Sequence, residues 1–219
     1  FFFQAEDGIR DSLASRGLGD VYKRQLPIRG KIINVQKVTE NRALQNEEIS
    51  ALIKAIGTGI KTQFNGDESR YDKIIFLTDA DVDGAHIRTL LLTFFFKFMP
   101  GLITGGKVWI SEPPLYRLKA SSGITYLKDD EALTKFKKEN KNKKFDTSRF
   151  KGLGEMNAGE LWETAMNPET RTLIKVTLAD AKGAMAKASD MFEILMGNDV
   201  SKRKQFIEKN AKDVRFLDV

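Results

Sequence analysis

Cysteine is absent from all 219 residues, which excludes disulfide frameworks, Cys-ligated zinc and thiol nucleophiles, and fits a reducing compartment such as the cytoplasm. Long apolar runs are also missing. The longest, Thr89 to Met99, is interrupted by Thr93 and Lys97 and falls well short of the roughly 20 residues that a membrane helix needs. The expectation is a soluble chain with no membrane partner. Acidic residues are in deficit: 30 Asp and Glu face 36 Lys and Arg, giving a formal net charge of +6 and a pI near 9.3. That balance suits a polyanionic partner without naming one. With 41% hydrophobic and 30% charged residues, what is present suffices for one domain with a real core and a smaller second one.

Residues 1–25 lack any sustained helical or strand period, and they join Leu26 abruptly. Their two halves, QAEDGIRD and SRGLGDVYKRQ, look like translated sequencing-adapter oligonucleotides. A signal peptide does not fit, because Gln4, Glu6 and Asp7 interrupt any apolar core begun by the opening Phe residues. The segment is set aside as non-native.

From Leu26 onward the patterning is regular. Asn46 is placed to cap a helix with Glu47 and Glu48 in its first turn, Ile49, Leu52, Ile53 and Ile56 on one face, and Gly57 as its stop. Lys73 to Thr78 is a short continuous apolar run, as expected of a strand buried on both faces of a parallel sheet. Asp83 to Met99 reads as a buried helix ended by Pro100 and Gly101, with Phe94 to Phe96 in the core. Val108–Ser111, Leu115–Leu118 and Ile124–Leu127 read as strands, the last two forming a hairpin that adds an antiparallel edge to the sheet. Between Lys135 and Lys151 stand eight basic and two acidic residues, read as an exposed charged connector holding the domain boundary. The remainder reads as helical: Asn157 with Glu160 approximates a capping box, Asn167 and Pro168 open a second helix, and Leu178–Met196 and Val200–Asn210 supply two more.

Between the apolar strand and the buried helix lies DADVDG. Asp79, Asp81 and Asp83 alternate at the carboxyl end of a strand, where open α/β folds place ligands. Carboxylates crowded there repel one another, and a divalent cation relieves the repulsion. A few carboxylates with water and phosphate oxygens completing the shell describe Mg²⁺. An EF-hand loop is excluded, because the twelfth residue from Asp79 is Leu90 rather than the required Glu. An Asp-nucleophile phosphatase is a weaker rival, since Asp83 stands where Thr or Val is usual and the remaining motifs are missing. Asp81 and Asp83 also suit a plainer role as an Asx turn and a helix N-cap. Arg29 and Lys31 flank Gly30 in a short loop, where close backbone approach and two cations suit a phosphate, as against two solvated charges. Lys151 beside the Gly152-Leu153-Gly154 turn invites the same pair of readings. His86, the single histidine, fits either a polar-network role or a satisfied core position.

The stretch TDADVDGAHIRTLLLTFFF, from Thr78 to Phe96, resembles the B-subunit family of DNA gyrase, within the type IIA topoisomerases. Four other stretches agree in order: LPIRGKIINV from Leu26, PPLYRL from Pro113, RFKGLGEMN from Arg149 and NPETRTL from Asn167, followed by the closing FIEKNAKDVRFLDV. The resemblance covers 26–219. It implies an α/β fold: a Toprim-type parallel sheet flanked by helices over 26–118, truncated at its N-terminus, then a hairpin strand, short helix and basic connector over 119–147, and a mainly helical tail over 148–219. It also implies Mg²⁺ on Asp79 and Asp81 with Asp83 auxiliary, and DNA contacts from Arg29, Lys31, Asn34, His86 and Lys151. The partners implied are double-stranded DNA and the gyrase A subunit in an A₂B₂ complex, with ATP bound by a domain outside this chain. The nucleophile is then a tyrosine of the A subunit, and the metal stabilises charge on the departing oxygen. One departure stands out. The family's catalytic Glu lies in an EGDSAGG motif upstream of LPIRGK, and here that place holds the adapter-like residues, so the chain alone is expected to bind Mg²⁺ poorly and not to cleave DNA. The rival readings are the B subunit of topoisomerase IV and a non-catalytic DNA-binding fragment.

Overall fold

In a computed structural model of the chain, residues 2–4, 25–79, 81–141, 143–178 and 183–213 are described. The elements in order are β1 (Phe2–Gln4), α1 (Glu40–Leu44), α2 (Glu47–Ile56), β2 (Lys73–Phe76), α3 (Val82–Phe98), α4 (Pro100–Thr104) and β3 (Val108–Ser111). There follow β4 (Tyr116–Ala120), β5 (Gly123–Leu127), α5 (Asp130–Glu139), β6 (Asp146–Arg149), α6 (Ala158–Leu161), β7 (Leu173–Lys175), α7 (Ala184–Met196) and α8 (Val200–Asn210). One sheet has the order β1-β2-β3-β7 and the other β5-β4-β6. The fold is mixed α/β with parallel strands, helices and a helical C-terminal region; β2 reaches β3 through α3 and α4, the long crossover that parallel neighbours require.

The chain divides into two compact units, one of residues 1–75, 86–108 and 175–219, the other of residues 76–85 and 109–174. The first is organised by its apolar helices. Asn46 Oδ1 accepts from Ile49 N at 3.1 Å, and Gly57 ends α2 at φ 86°, so cap and stop sit where propensity places them. Ile49, Leu52 and Ile56 are fully buried, as are Phe94, Phe95 and Phe98 of α3. Each such side chain contributes about 1.5–3 kcal/mol by leaving water. Phe94 and Phe95 meet edge to face at 5.2 Å, and half-buried Phe96 stacks on Phe192 of α7 at 4.7 Å. Gly101 is required where it stands, since a Cβ there would lie 2.2 Å from the Phe64 ring.

In the second unit β4 and β5 pair antiparallel from Tyr116↔Leu127 to Ala120↔Gly123, and β6 takes the other edge of β4, with Tyr116 opposite Arg149. Tyr116, Leu118, Phe150, Met156, Ala165 and Met166 form its buried core.

The structure departs from expectation at several points. Only the later part of α3 is buried; Val82, Asp83, Ala85 and His86 are exposed or begin the helix before its buried stretch. Pro100 does not simply stop that helix but opens α4 from its first position, where its missing N–H costs nothing. The hairpin is no edge of the first sheet: β6 returns to pair with β4, so three strands close a sheet of their own. The basic stretch 135–151 is not a bare connector either. Asp129 caps α5 through Ala132 N at 2.8 Å, Lys137 and Lys138 sit in its last turn where cations suit the helix dipole, and β6 follows. Asn167 and Pro168 open no helix; Thr170 and Arg171 both donate to Asn167 O, a single turn that leads into β7. Of the helix expected over 178–196, residues 179–182 lie outside the described residues, and α7 begins at Ala184. Of the segment set aside as non-native, residues 5–24 lie outside the described residues, and Phe2–Gln4 pair antiparallel with β2.

Candidate functional site

β2 delivers Asp79 three residues past its end, and α3 starts soon afterwards. Gly84 makes this junction possible, because a Cβ there would lie 2.1 Å from the Asp79 carbonyl oxygen. Asp81, not Asp83, caps the helix: its Oδ1 accepts from Gly84 N at 2.7 Å and its carbonyl from Ala85 N at 3.0 Å. Asp83 falls one position inside α3, as an exposed acid in the first turn. The acidic residue just ahead of the first helical position takes the cap, because a side chain outside the helix can reach the N–H groups of its first turn.

Asp79 is half-buried, and its Oδ1 accepts from Leu153 N at 2.7 Å. Among the described residues neither Asp79 nor Asp81 is ion-paired. Each carboxylate commits one oxygen to a backbone N–H and keeps acceptor capacity for a further electrophile. Thr78 Oγ1, next in the chain, is buried without a hydrogen-bond partner. This hard-oxygen donor set fits Mg²⁺, which binds through one or two carboxylates with the rest of its shell from water and phosphate. The fit is that of a partial site. Among the described residues no group of three or more acidic or imidazole side chains converges.

The loop that meets Asp79 is built from Phe150 to Asn157. Phe150 is buried, donates its N–H to Leu115 O at 2.9 Å and lies under the Arg117 guanidinium at 5.6 Å. Lys151 is exposed, its N–H bonded to Glu155 Oε2 at 2.9 Å. Beyond the loop, Asn157 and Glu160 form the capping box that opens α6. Glu160 is only 6% exposed, and Arg117 Nη1 reaches its Oε1 at 2.6 Å. Burial alone pushes the Glu160 carboxyl up, but the Arg117 guanidinium and the Asn157 N–H outweigh it and hold the group below the usual range. Beyond its place in PPLYRL, nothing in the linear sequence singles out Arg117, because its partner stands 43 positions away.

In the other unit, Arg29 and Lys31 are exposed on either side of Gly30, whose φ of 75° turns the chain with open space around its α-carbon. Asn34 is engaged at both ends: Nδ2 donates to Met196 O at 2.9 Å and Oδ1 accepts from Gln36 N at 3.0 Å. Gln36 adds a 2.6 Å bond to Glu193, so the strap 31–36 is tied to α7. His86 is exposed, which removes the core reading of that residue.

The Toprim domain matches residues 8–113, a span that begins inside the segment set aside above. The carboxyl terminus of the DNA gyrase B subunit matches residues 142–208. The chain is thus a Toprim-domain protein. The DNA gyrase B subunit of Thermotoga maritima is 52% identical over 198 residues, covering 90% of this chain and 30% of the relative. That of Mycoplasmoides gallisepticum is 50% identical over 205 residues, 94% of this chain and 31% of the relative, and that of Archaeoglobus fulgidus 51% over 194, 89% and 30%. The chain belongs to the DNA gyrase B-subunit family, as its Toprim and C-terminal region, and spans about 30% of the length of the curated relatives it matches. Among the described residues no helix is long and apolar enough to cross a membrane.

Proposed function

We propose that this chain is the metal- and DNA-binding part of a gyrase B subunit, which acts with the gyrase A subunit in the cytoplasm, in an A₂B₂ complex, to cleave and reseal double-stranded DNA and introduce negative supercoils. The observation that carries the reading is the pair Asp79 and Asp81 at the end of β2, one oriented by Leu153 N and the other by Gly84 N. Asp79 and Asp81 hold Mg²⁺, with Asp83 as an auxiliary carboxylate on the first turn of α3. Bound there, the metal supplies charge stabilisation for an oxygen leaving phosphorus. Arg29, Lys31, His86 and Lys151 are exposed and take DNA phosphates. They fix the backbone while reading little sequence. Asn34 joins the DNA interface by holding the strap 31–36 in shape. ATP is bound by a domain outside this chain, and the nucleophilic tyrosine is that of the A subunit. The module boundaries proposed are 26–118 for Toprim, 119–147 for the hairpin strand, helix and basic segment, and 148–219 for the tail.

The test is a chimera in which residues 26–219 replace the corresponding region of a complete gyrase B subunit that carries the EGDSAGG motif, assayed with its A subunit on relaxed plasmid. ATP-dependent negative supercoiling is the expected result. Decatenation without supercoiling would make the B subunit of topoisomerase IV the better assignment. Loss of both, with intact folding, would leave a DNA-binding module without a cleavage role.

A further inference from the structure

The loop that reaches Asp79 is held at both ends by one pair of side chains. At its start, buried Phe150 is bonded to Leu115 O and covered by the Arg117 guanidinium. At its end, Asn157 N donates to Glu160 Oε2 at 3.0 Å while Glu160 N donates to Asn157 Oδ1 at 2.9 Å. Arg117 Nη1 then joins Glu160 Oε1 at 2.6 Å and closes the circuit. Between these ends Leu153 N reaches Asp79 Oδ1, and Gly152 comes so close to the same carboxylate that an added Cβ would lie 3.1 Å from it.

We propose that Arg117 and Glu160 are positioning residues for Asp79, acting through the Lys151–Glu155 loop, whose Leu153 N–H sets the orientation of the Asp79 carboxylate for a divalent cation. This rests on the metal reading given above. A carboxylate with one oxygen fixed presents the other in a single direction, so less conformational freedom is lost when a cation binds. Within the loop, Lys151 is exposed and its N–H bonds to nearby Glu155, so the loop's long-range anchors are Phe150 N on Leu115 O at its start and the Arg117–Glu160 pair, which ties that start to its end. Glu160 is buried and paired, so removing its charge loosens the circuit without touching Asp79.

The experiment measures Mn²⁺ binding by EPR, with Mn²⁺ as the visible stand-in for Mg²⁺ and no nucleotide present, to the gyrase B chimera described above that carries EGDSAGG and residues 26–219, in the parent and in Asp81→Asn, Leu153→Pro and Glu160→Gln. Asp81→Asn removes a ligand charge and keeps a capping side chain. Leu153→Pro deletes the N–H, and Gly152, extended at φ −163° and ψ 172°, suits a following proline. Leu153 amide hydrogen exchange is followed in the parent and Glu160→Gln. All three substitutions are expected to weaken Mn²⁺ binding, the last two by about tenfold, and Glu160→Gln to speed exchange at Leu153. If Asp81→Asn weakens binding while folded Leu153→Pro and Glu160→Gln bind Mn²⁺ like the parent, the positioning role is overturned and the metal site stands; a merely structural Glu160 would lower the melting temperature and leave affinity alone. If Asp81→Asn also binds like the parent, the metal site falls and the positioning role with it.

Discussion

Leu153 donates its backbone N–H to Asp79 Oδ1 at 2.7 Å across 74 residues of sequence. The bond joins the acidic turn after β2 to the Gly-Leu-Gly loop, and these belong to the separate stretches matched by the Toprim domain and by the gyrase B carboxyl terminus. A side chain on the loop could be substituted without losing it, because a main-chain group is the donor.

Asp81 has two duties that substitution separates. As the cap of α3 it contributes about 1 kcal/mol, and as a carboxylate it is a proposed ligand of the cation. Asp81→Ala should lower stability in urea melts by about that amount and abolish Mg²⁺-dependent cleavage in the complete enzyme. Asp81→Asn should abolish cleavage while keeping most of the stability. Cleavage surviving in both would remove Asp81 from the metal site.

Acid should loosen the Arg117–Glu160 pair. The Glu160 carboxyl is held below its ordinary value near 4.5 in the folded protein, so its stabilising contribution is complete above that value and is lost as pH falls through the lower folded one. Glu160→Gln should flatten the fall in stability below about pH 4.5, read from melting curves taken across that range. An unchanged profile would mean that the pair does not govern acid unfolding.

Asn34 is bonded to Met196 O and Gln36 N within its own unit. Asn34→Ala should cost about 1–2 kcal/mol of stability, the penalty for abandoning part-buried backbone partners. Its effect on DNA affinity, measured with the protein folded, should be smaller than that of Lys31→Ala. The reverse ranking would make Asn34 a direct phosphate contact.

In the proposed DNA interface Arg29 and Lys31 act through charge. Replacing both by Ala should weaken binding to unrelated duplexes alike and reduce the salt slope of the binding constant by about 2, close to one for each phosphate no longer neutralised. Fluorescence anisotropy across a salt series measures it. An unaltered slope would mean that the two side chains are merely solvated.

Much of this architecture was readable from the order of residues alone. The α2 cap and stop, the buried β2 run and the Asn157–Glu160 capping box all depend on neighbours within a few positions, so local patterning determined them. The acidic turn was legible for the same reason: three alternating Asp after an apolar strand need no partner from elsewhere to be conspicuous. Which Asp caps α3 was less so, since the choice between Asp81 and Asp83 turns on a single position of the helix start. What only the tertiary structure decided were the long-range pairings: β6 returning to β4, Asn34 bonded to Met196 O, Arg117 closing on Glu160, and Leu153 N meeting Asp79. Such pairings carry no periodic signature, because they form between segments brought together by packing, and a donor that is a backbone N–H leaves no trace in residue identity.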